Sequence, residues 1–259
     1  MKRRALVTGV SHGIGQDIAR TLLRDGWDVV GVSRHPARML DGLTEYALDV
    51  SLPHQAHRLA WMVGDRPLDA LVHCAAIQGP IGPLEDSLPS AWLETIRTNL
   101  LGTYLVTREC LPFLRQSQDA RILLFAGGGA FNSRQDYSAY AVSKAGVVSM
   151  METLAEELRH SSVTVNCISP GFVATGLDPH APVLSSDPDG SMAMARAVAC
   201  VRHLLSPQTR GLLGKTVSAE YDDWASIRDV ASVAALNGSV QGTRHRHTIQ
   251  MVSQLRGVA

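Results

Sequence analysis

The chain has 259 residues, 45% of them hydrophobic and 19% charged, which is the composition of an ordinary globular protein. Its 24 basic and 24 acidic side chains give a formal net charge of zero, which argues against binding to nucleic acid or to acidic membranes. No segment approaches the ~20 consecutive apolar residues that a membrane-spanning helix needs, and the N-terminal apolar run is too short for a signal peptide. Cys74, Cys110, Cys167 and Cys200 lack metal-type spacing, so we expect free thiols, no metal site and a cytoplasmic protein.

Short apolar runs alternate with amphipathic stretches along the chain. In chain order, the apolar runs predict strands over 5–8, 27–33, 43–49, 68–74, 121–126, 163–168 and 214–219. Apolar residues at helical spacing predict helices over 14–24, 53–63, 90–116, 136–160, 191–205 and 224–236. Strand–helix alternation of this kind predicts an α/β fold over 1–259. The expected architecture is a single-domain, Rossmann-like, doubly wound parallel sheet with helices on both faces.

Two regions depart from the alternation. Prolines and glycines between Gly176 and Gly190 predict a loop. Residues from about 220 to 259 form a divergent C-terminal tail, in which the residues after the predicted helix 224–236 are polar and show no clear pattern.

A glycine-rich turn joins the first strand to the first helix, with the sequence Thr8-Gly9-Val10-Ser11-His12-Gly13-Ile14-Gly15. Glycine permits a tight turn and close approach of the backbone to a pyrophosphate. The phosphates would then meet free N–H groups at the start of the helix. At this position in a wound α/β pattern, the turn predicts a dinucleotide site.

Tyr140 and Lys144 lie four residues apart in a predicted helix, so they share a face. An ammonium favours the phenolate of a nearby tyrosine and lowers its pKa. The pair is therefore a candidate general acid/base for moving a proton on or off an oxygen.

The TGxxxGxG turn and the Tyr-x-x-x-Lys motif together resemble the short-chain dehydrogenase/reductase family. The resemblance runs from about residue 3 to about residue 219. Asn99 matches the catalytic asparagine of the family, and Asn166–Thr175 matches its Pro-Gly segment beside the nicotinamide. His73-Cys74-Ala75-Ala76 stands where the family usually has Asn-Asn-Ala-Gly.

The resemblance implies roles for these residues. Tyr140 would transfer a proton to or from the substrate oxygen, Lys144 would lower the pKa of Tyr140 and hold the nicotinamide ribose, and Asn99 would keep a water that supplies protons to Lys144. Tyr137 is not a candidate acid, because it has no lysine four residues on. The expected cofactor contacts are Gly9, Ser11, His12, Gly13, Ile14, Gly15, Ser33, Arg34, Asp49, Val50, Cys74, Ala75, Ala76, Asn99, Tyr140, Lys144, Pro170, Gly171, Val173 and Thr175.

The end of the second strand bears on cofactor choice. A carboxylate there would bond the ribose hydroxyls of NAD and repel a 2′-phosphate. This chain has Ser33 followed by Arg34, whose guanidinium can bind a phosphate. His12 occupies a site that is basic in many NADP-dependent relatives. We therefore expect NADP(H) to be favoured over NAD(H).

One position departs from the family pattern in a way that bears on activity. The family keeps a serine at the end of the fifth strand to orient the substrate oxygen, and this chain has Ala126 and Gly127 there. Losing such a donor typically costs on the order of 10²–10³ in rate. Asn132, Ser133 or Ser138 would have to substitute for it.

Two functions follow from this pattern. The first is an oxidoreductase of the EC 1.1.1 type that reduces a ketone or aldehyde to an alcohol with NADPH, or runs the reverse reaction. The second is a weak or inactive member that serves as an NADP(H)-binding module. A sugar-nucleotide epimerase or dehydratase fits less well, because the chain has no room for a long substrate domain. By resemblance, residues 176–210 cover a small-molecule substrate, and helices 90–116 and 136–160 pack a homodimer or homotetramer.

Overall fold

A computed structural model describes residues 2–36, 40–177, 187 and 190–228. Within them, seven parallel strands form one sheet in the order β3-β2-β1-β4-β5-β6-β7. The strands are β1 Arg4–Thr8, β2 Asp28–Ser33, β3 Thr44–Ala47, β4 Ala70–His73, β5 Ala120–Phe125, β6 Val163–Ser169 and β7 Thr216–Ser218. The winding reverses between β1 and β4, which confirms the predicted doubly wound parallel sheet.

Helices cover both faces of this sheet. They are α1 Gly13–Arg24, α2 Pro53–Ala56, α3 Leu59–Val63, α4 Pro89–Ile96, α5 Gly102–Leu114, α6 Ser138–Leu158 and α7 Ser191–Leu204. Successive strand residues point to opposite faces, so Leu6 packs in a core with α3, α5 and α6, whereas Ala5 and Val7 pack in a core with α1 and α7. Burial on both faces explains why the strands read as almost uninterrupted apolar runs.

Two of the predicted helices are interrupted. Residues 53–63 form two short helices, α2 and α3. Between them the backbone hydrogen bonds join residues three apart instead of four, as in the bond from Trp61 N to Arg58 O at 3.0 Å. Residues 89–114 contain a five-residue π-helical turn, Arg97–Leu101, between α4 and α5. Such turns often occur at functional sites, and this one carries Asn99 at its centre.

Helix α6 starts two residues later than predicted. Asp136 has a φ of 68° and is the one described non-glycine residue with a positive φ, a conformation that a right-handed helix cannot contain. Its carbonyl accepts a hydrogen bond from Gly82 N at 2.9 Å. Asp136 therefore belongs to the loop that leads into the helix carrying Tyr140.

The predicted lid and tail fall largely outside the described residues. This applies to residues 178–186 and 188–189 of the loop and to residues 229–259. The described start of the predicted last helix is a 3₁₀ turn, Trp224–Ser226. None of the described helices combines the length and the apolar character needed to cross a bilayer.

Candidate active site

At the carboxyl ends of β1 and β4, Gly9 and Gly15 let the turn after β1 touch the loop after β4. We call this contact the crossing. A Cβ on Gly9 would lie 2.8 Å from Ala75 N, and a Cβ on Gly15 would overlap the carbonyl of Gly9. Both positions therefore require glycine. Thr8 holds the same crossing, because its Oγ1 accepts hydrogen bonds from the N–H groups of Cys74 and Ala75 at 3.1 and 3.0 Å.

Helix α1 begins at this crossing without a side-chain cap. His12 precedes the helix in an extended conformation and makes no capping hydrogen bond, and Gly13 has a φ of 61°. The first N–H groups of a helix lack partners within it and carry the positive end of its dipole. Together with the glycine contacts, this open helix start fits the pyrophosphate of a dinucleotide.

A cleft of about 430 Å³ lies over this crossing. It contains most of the residues predicted to contact a cofactor: Gly9, Ser11, His12, Gly13, Ile14, Gly15, Ser33, Arg34, Asp49, Val50, Cys74, Ala75, Ala76 and Thr175. The sequence analysis missed a further set that lines it: Val32, His35, Leu48, Ile77, Thr98 and Leu177. Residues such as Val32 and Leu48 were missed because an apolar residue in the wall of a cleft looks the same in the sequence as one in the core.

The end of the cleft at β2 carries charges of both signs. Arg34 Nη1 lies 3.8 Å from Glu94 Oε1, and about half of each side chain is exposed, so this ion pair is weak. The Ser33 hydroxyl donates to Glu45 Oε1 at 3.0 Å. Glu45 lies on β3 and was not anticipated, because its contact with Ser33 depends on the pairing of the two strands.

Tyr140 and Lys144 line a second cavity, of about 470 Å³. It continues from the cleft, because both are lined by Ile14, Cys74, Ala76, Thr175 and Leu177. The predicted residues Pro170, Gly171 and Val173 also line it. The cavity therefore brings the two candidate catalytic side chains next to the site predicted for the nicotinamide.

The ammonium of Lys144 is held inside the protein beside Tyr140. Its Nζ donates to Phe125 O at 3.0 Å and lies 5.6 Å from the centroid of the Tyr140 ring. Burial lowers the pKa of Lys144 to about 8, and the nearby thiols of Cys167 and Cys74 raise it by a smaller amount. Lys144 can therefore exchange its proton near neutral pH, as a proton relay requires.

Asn99 does not line either cavity and instead ties three segments together. Its Nδ2 donates to Ile77 O at 2.9 Å and to Ser143 Oγ at 3.0 Å, and its Oδ1 accepts from Ile77 N at 2.8 Å. Ser143 in turn donates to Tyr140 O at 2.7 Å. The side chain thus connects the loop after β4 to the helix turn that carries Tyr140, and the contact with a cofactor predicted for it stays a prediction.

Comparison with known proteins identifies the family. The model of the short chain dehydrogenase family matches residues 3–182. The chain belongs to the short chain dehydrogenase family. The D-beta-hydroxybutyrate dehydrogenase of Rhizobium meliloti strain 1021 is 30% identical over 191 residues, which cover 68% of this chain and 74% of the relative. The 3-oxoacyl-(acyl-carrier-protein) reductase FabG of Vibrio harveyi is 29% identical over 230 residues, which cover 82% and 93%.

The fold is similar to those of solved short chain dehydrogenases. A structure from Escherichia coli CFT073, described as a short chain dehydrogenase complexed with NADPH, has a TM-score of 0.75 at 26% identity. The match covers 84% of this chain and 96% of that chain. The similarity extends over most of both proteins, so the whole sheet, and not only the glycine turn, is of the short chain dehydrogenase type.

Tyr140 lies against the point where a side chain at Gly127 would begin. A Cβ on Gly127 would lie 2.7 Å from Tyr140 Oη and 2.9 Å from its Cε1. Of the three predicted substitutes, Asn132 lines the cavity and Ser133 does not. The Ser138 hydroxyl accepts a hydrogen bond from Trp92 Nε1 at 3.2 Å, which gives it a structural role.

Several cavity residues escaped prediction. Gln78, Arg134, Glu220 and Tyr221 line the space around Tyr140. Glu220 and Tyr221 lie two and three residues after the end of β7. The sequence of this segment departs from the family pattern, and that departure was the available signal. His73, in contrast, is excluded as an acid or base, because burial lowers its pKa to about 3 and keeps the ring neutral.

Proposed function

We propose that this chain is an NADP(H)-dependent oxidoreductase that reduces a ketone or aldehyde to an alcohol, or catalyses the reverse reaction. The observation that carries the proposal is the cavity that joins Tyr140 and Lys144 to the glycine-lined cleft at the sheet's switch point. The names of two relatives, a hydroxybutyrate dehydrogenase and an oxoacyl reductase, describe the same interconversion of C=O and CH–OH.

The cofactor, when bound, supplies or accepts the hydride. In the reductive direction, the hydroxyl of Tyr140 gives its proton to the substrate oxygen. Lys144 lies next to this ring and replaces the proton from a pKa of about 8. Tyr140, Lys144 and the neighbouring Phe125 are each at most 7% exposed, and this burial strengthens the influence of the ammonium on the phenol.

Two features support binding of NADP(H) in particular. Arg34 offers an exposed guanidinium at the wall of the cleft, and its weak pairing with Glu94 leaves it able to bind a 2′-phosphate. His12 and His35 line the same cleft. Glu45 opposes the preference, because it holds the Ser33 hydroxyl and adds a negative charge near the end of β2.

Oxidation of NADPH by a panel of ketones and aldehydes tests the proposal, with wild type and Tyr140→Phe measured side by side. We expect turnover by the wild type and a loss on the order of 10²–10⁴ in Tyr140→Phe, with NADPH affinity retained. Turnover that survives in Tyr140→Phe would contradict the proposed mechanism.

The competing function is an NADP(H)-binding module with little activity, and the absence of a hydroxyl at Gly127 favours it. Micromolar binding of NADPH without turnover of any carbonyl compound would support the module. The enzyme is the better proposal, because the Tyr140–Lys144 pair is buried in the cavity and Lys144 has the shifted pKa that proton transfer requires.

We also propose a homodimer or homotetramer that packs through α4, α5 and α6. These helices expose large apolar side chains, namely Leu93, Tyr104 and Val142, which an interface would cover. A monodisperse monomer in light scattering would contradict the assembly. We place the protein in the cytoplasm, where Cys74, Cys110, Cys167 and Cys200 would stay reduced; all four are free thiols.

A further inference from the structure

The glycines at the end of β5 place an arginine close to Tyr140. A Cβ on Gly127 would lie 2.7 Å from Tyr140 Oη, and a Cβ on the next residue, Gly128, would lie 3.2 Å from Arg134 Nη1. Because consecutive Cα atoms are about 3.8 Å apart, these two contacts limit the distance between Tyr140 Oη and Arg134 Nη1 to about 13 Å. Two hydrogen bonds of about 2.8 Å would leave about 7 Å at most, which is the reach of a short-chain oxo acid.

The guanidinium of Arg134 belongs to the wall of the Tyr140 cavity. Arg134 lines this cavity and is only partly buried. Its Cζ lies 3.6 Å from the centroid of the Tyr137 ring, and Tyr137 is the residue that precedes α6. Stacking of this kind uses the face of a guanidinium, whereas its five N–H donors lie in its plane. Arg134 is therefore held by the segment that leads into the helix of Tyr140, in a form that can bind an anion through paired hydrogen bonds.

The other charged groups of the cavity also favour an anion on the Tyr140 side. Lys144 adds an ammonium beside the ring of Tyr140. Among the described residues that line the cavity, Glu220 is the one acid. Its Oε2 would lie 2.5 Å from a Cβ on Gly171, in the loop after β6, whereas Arg134 contacts the loop after β5. The two cations therefore lie with Tyr140, and the carboxylate lies against the neighbouring loop, so the charges attract an anionic group towards Tyr140.

We propose that Arg134 determines substrate specificity by binding an anionic group of the substrate, a carboxylate or a phosphate, while Tyr140 meets the carbonyl oxygen. The assignment rests on the proposed function. The substrate class is then an oxo acid or a phosphorylated ketone, with the anionic group a few atoms from the carbonyl carbon. Arg134 takes no part in the proton transfer. It orients the substrate, a task that falls to other groups where the family serine is replaced by Gly127.

The test uses two pairs of ketones that differ in charge. The first pair is 3-oxobutyrate and its methyl ester, and the second is dihydroxyacetone phosphate and dihydroxyacetone. Arg134→Met removes the charge, and Arg134→Lys keeps it without the planar fork. Arg196→Met is the matched control, because Arg196 is an exposed arginine of α7 that acts electrostatically on Tyr221 at the cavity. For each protein we would measure kcat and KM with all four ketones, the Kd of NADPH and the melting temperature.

We expect the wild type to prefer the charged member of at least one pair by about tenfold or more in kcat/KM, and the preferred pair distinguishes a carboxylate from a phosphate. Arg134→Met should lower kcat/KM for that charged ketone by about 10–100-fold through loss of a charge-assisted hydrogen bond, and for its neutral partner by less than about threefold. Arg134→Lys should lose less, and Arg196→Met should keep the preference within about twofold. The Kd of NADPH should stay within about threefold and the melting temperature within about 4 °C.

Equal losses for the charged and the neutral ketone in Arg134→Met would overturn the assignment, because a structural role affects both. An equal loss of preference in Arg196→Met would overturn it too, by attributing the preference to the overall charge. The wild type alone also tests it: reduction of neutral ketones or aldehydes without a preference for either charged ketone would overturn the role of Arg134 and leave the proposed function standing. If the wild type reduced no carbonyl compound, or Tyr140→Phe remained active, the proposed function would fail and the assignment with it.

Discussion

Gly127→Ser restores the residue that the family pattern contains, and we expect it to lower activity. The new Cβ would lie 2.7 Å from Tyr140 Oη and 3.1 Å from its Cζ, whereas carbon atoms in contact prefer about 3.5–4.0 Å. Tyr140 must therefore shift by about 0.8 Å. The ring is 7% exposed, so most of its surface is in contact with the rest of the protein.

A displacement of about 1 Å at a reacting group can cost 10²-fold in rate. We therefore expect kcat/KM for carbonyl reduction to fall on the order of 10²-fold in Gly127→Ser, and overpacking to lower the free energy of unfolding by about 1–3 kcal/mol. Gly127→Ala should show the same loss, because the Cβ and not the hydroxyl causes it.

Gly128→Ala is the matched control, since its Cβ would meet first the end of the flexible Arg134 side chain, at 3.2 Å from Nη1. Its free energy of unfolding should stay within about 0.5 kcal/mol of wild type, and its activity close to wild type. Steady-state NADPH oxidation and chemical unfolding check both quantities. An increase of activity in Gly127→Ser would refute this reasoning and show that Tyr140 yields to an added serine.

Four further predictions concern the site. Since burial lowers the pKa of Lys144 to about 8, the kcat/KM for NADPH should fall as pH rises through about 8, where the ammonium loses its proton; a flat profile to pH 10 would contradict this. Asn99→Ala should lower the free energy of unfolding, measured in urea titrations, by about 1–3 kcal/mol, because it leaves the N–H and C=O of Ile77 unpaired. A change below about 0.5 kcal/mol, as neutral substitutions give, would argue against a stabilising role for the hydrogen bonds between Asn99 and Ile77. Arg34→Ala should weaken NADPH binding by about 10–100-fold through loss of a charge-assisted hydrogen bond and leave NADH nearly unaffected, whereas Glu45→Gln should strengthen NADPH binding by removing a negative charge near Ser33. Equal effects of Arg34→Ala on the Kd values of both cofactors would rule out its contact with a 2′-phosphate.

The order of the elements was predictable because the sheet is buried on both faces. Strands such as β1 and β5 are buried throughout and mostly apolar, and helices such as α1 repeat their apolar residues with helical spacing. The glycine turn and the Tyr140–Lys144 pair were also predictable, since each depends on spacing within one short segment. Local pattern is enough for features of this kind.

Other features of the site depend on tertiary contacts that no local pattern encodes. The hydrogen bond from Ser33 to Glu45 results from the register of β2 and β3. Gln78 reads as an ordinary loop residue until the packing of Gly79 on α4 places it beside the cavity. The start of α6 was predicted two residues early, because the sequence does not reveal that Asp136 adopts a left-handed conformation.

The π-helical turn Arg97–Leu101 has a consequence for how this protein can tolerate change. A turn of this kind accommodates one residue more than an α-helical turn does. Deleting a single residue there would let α4 and α5 merge into one regular helix. The faces that α4 and α5 bury would stay in place, because the deletion removes only the extra residue, whereas Asn99 lies within the turn and would lose its alignment with Ile77 and Ser143. Such a deletion would preserve the helix but release the loop that carries Gln78. Insertions and deletions at this turn can therefore alter activity without altering the fold.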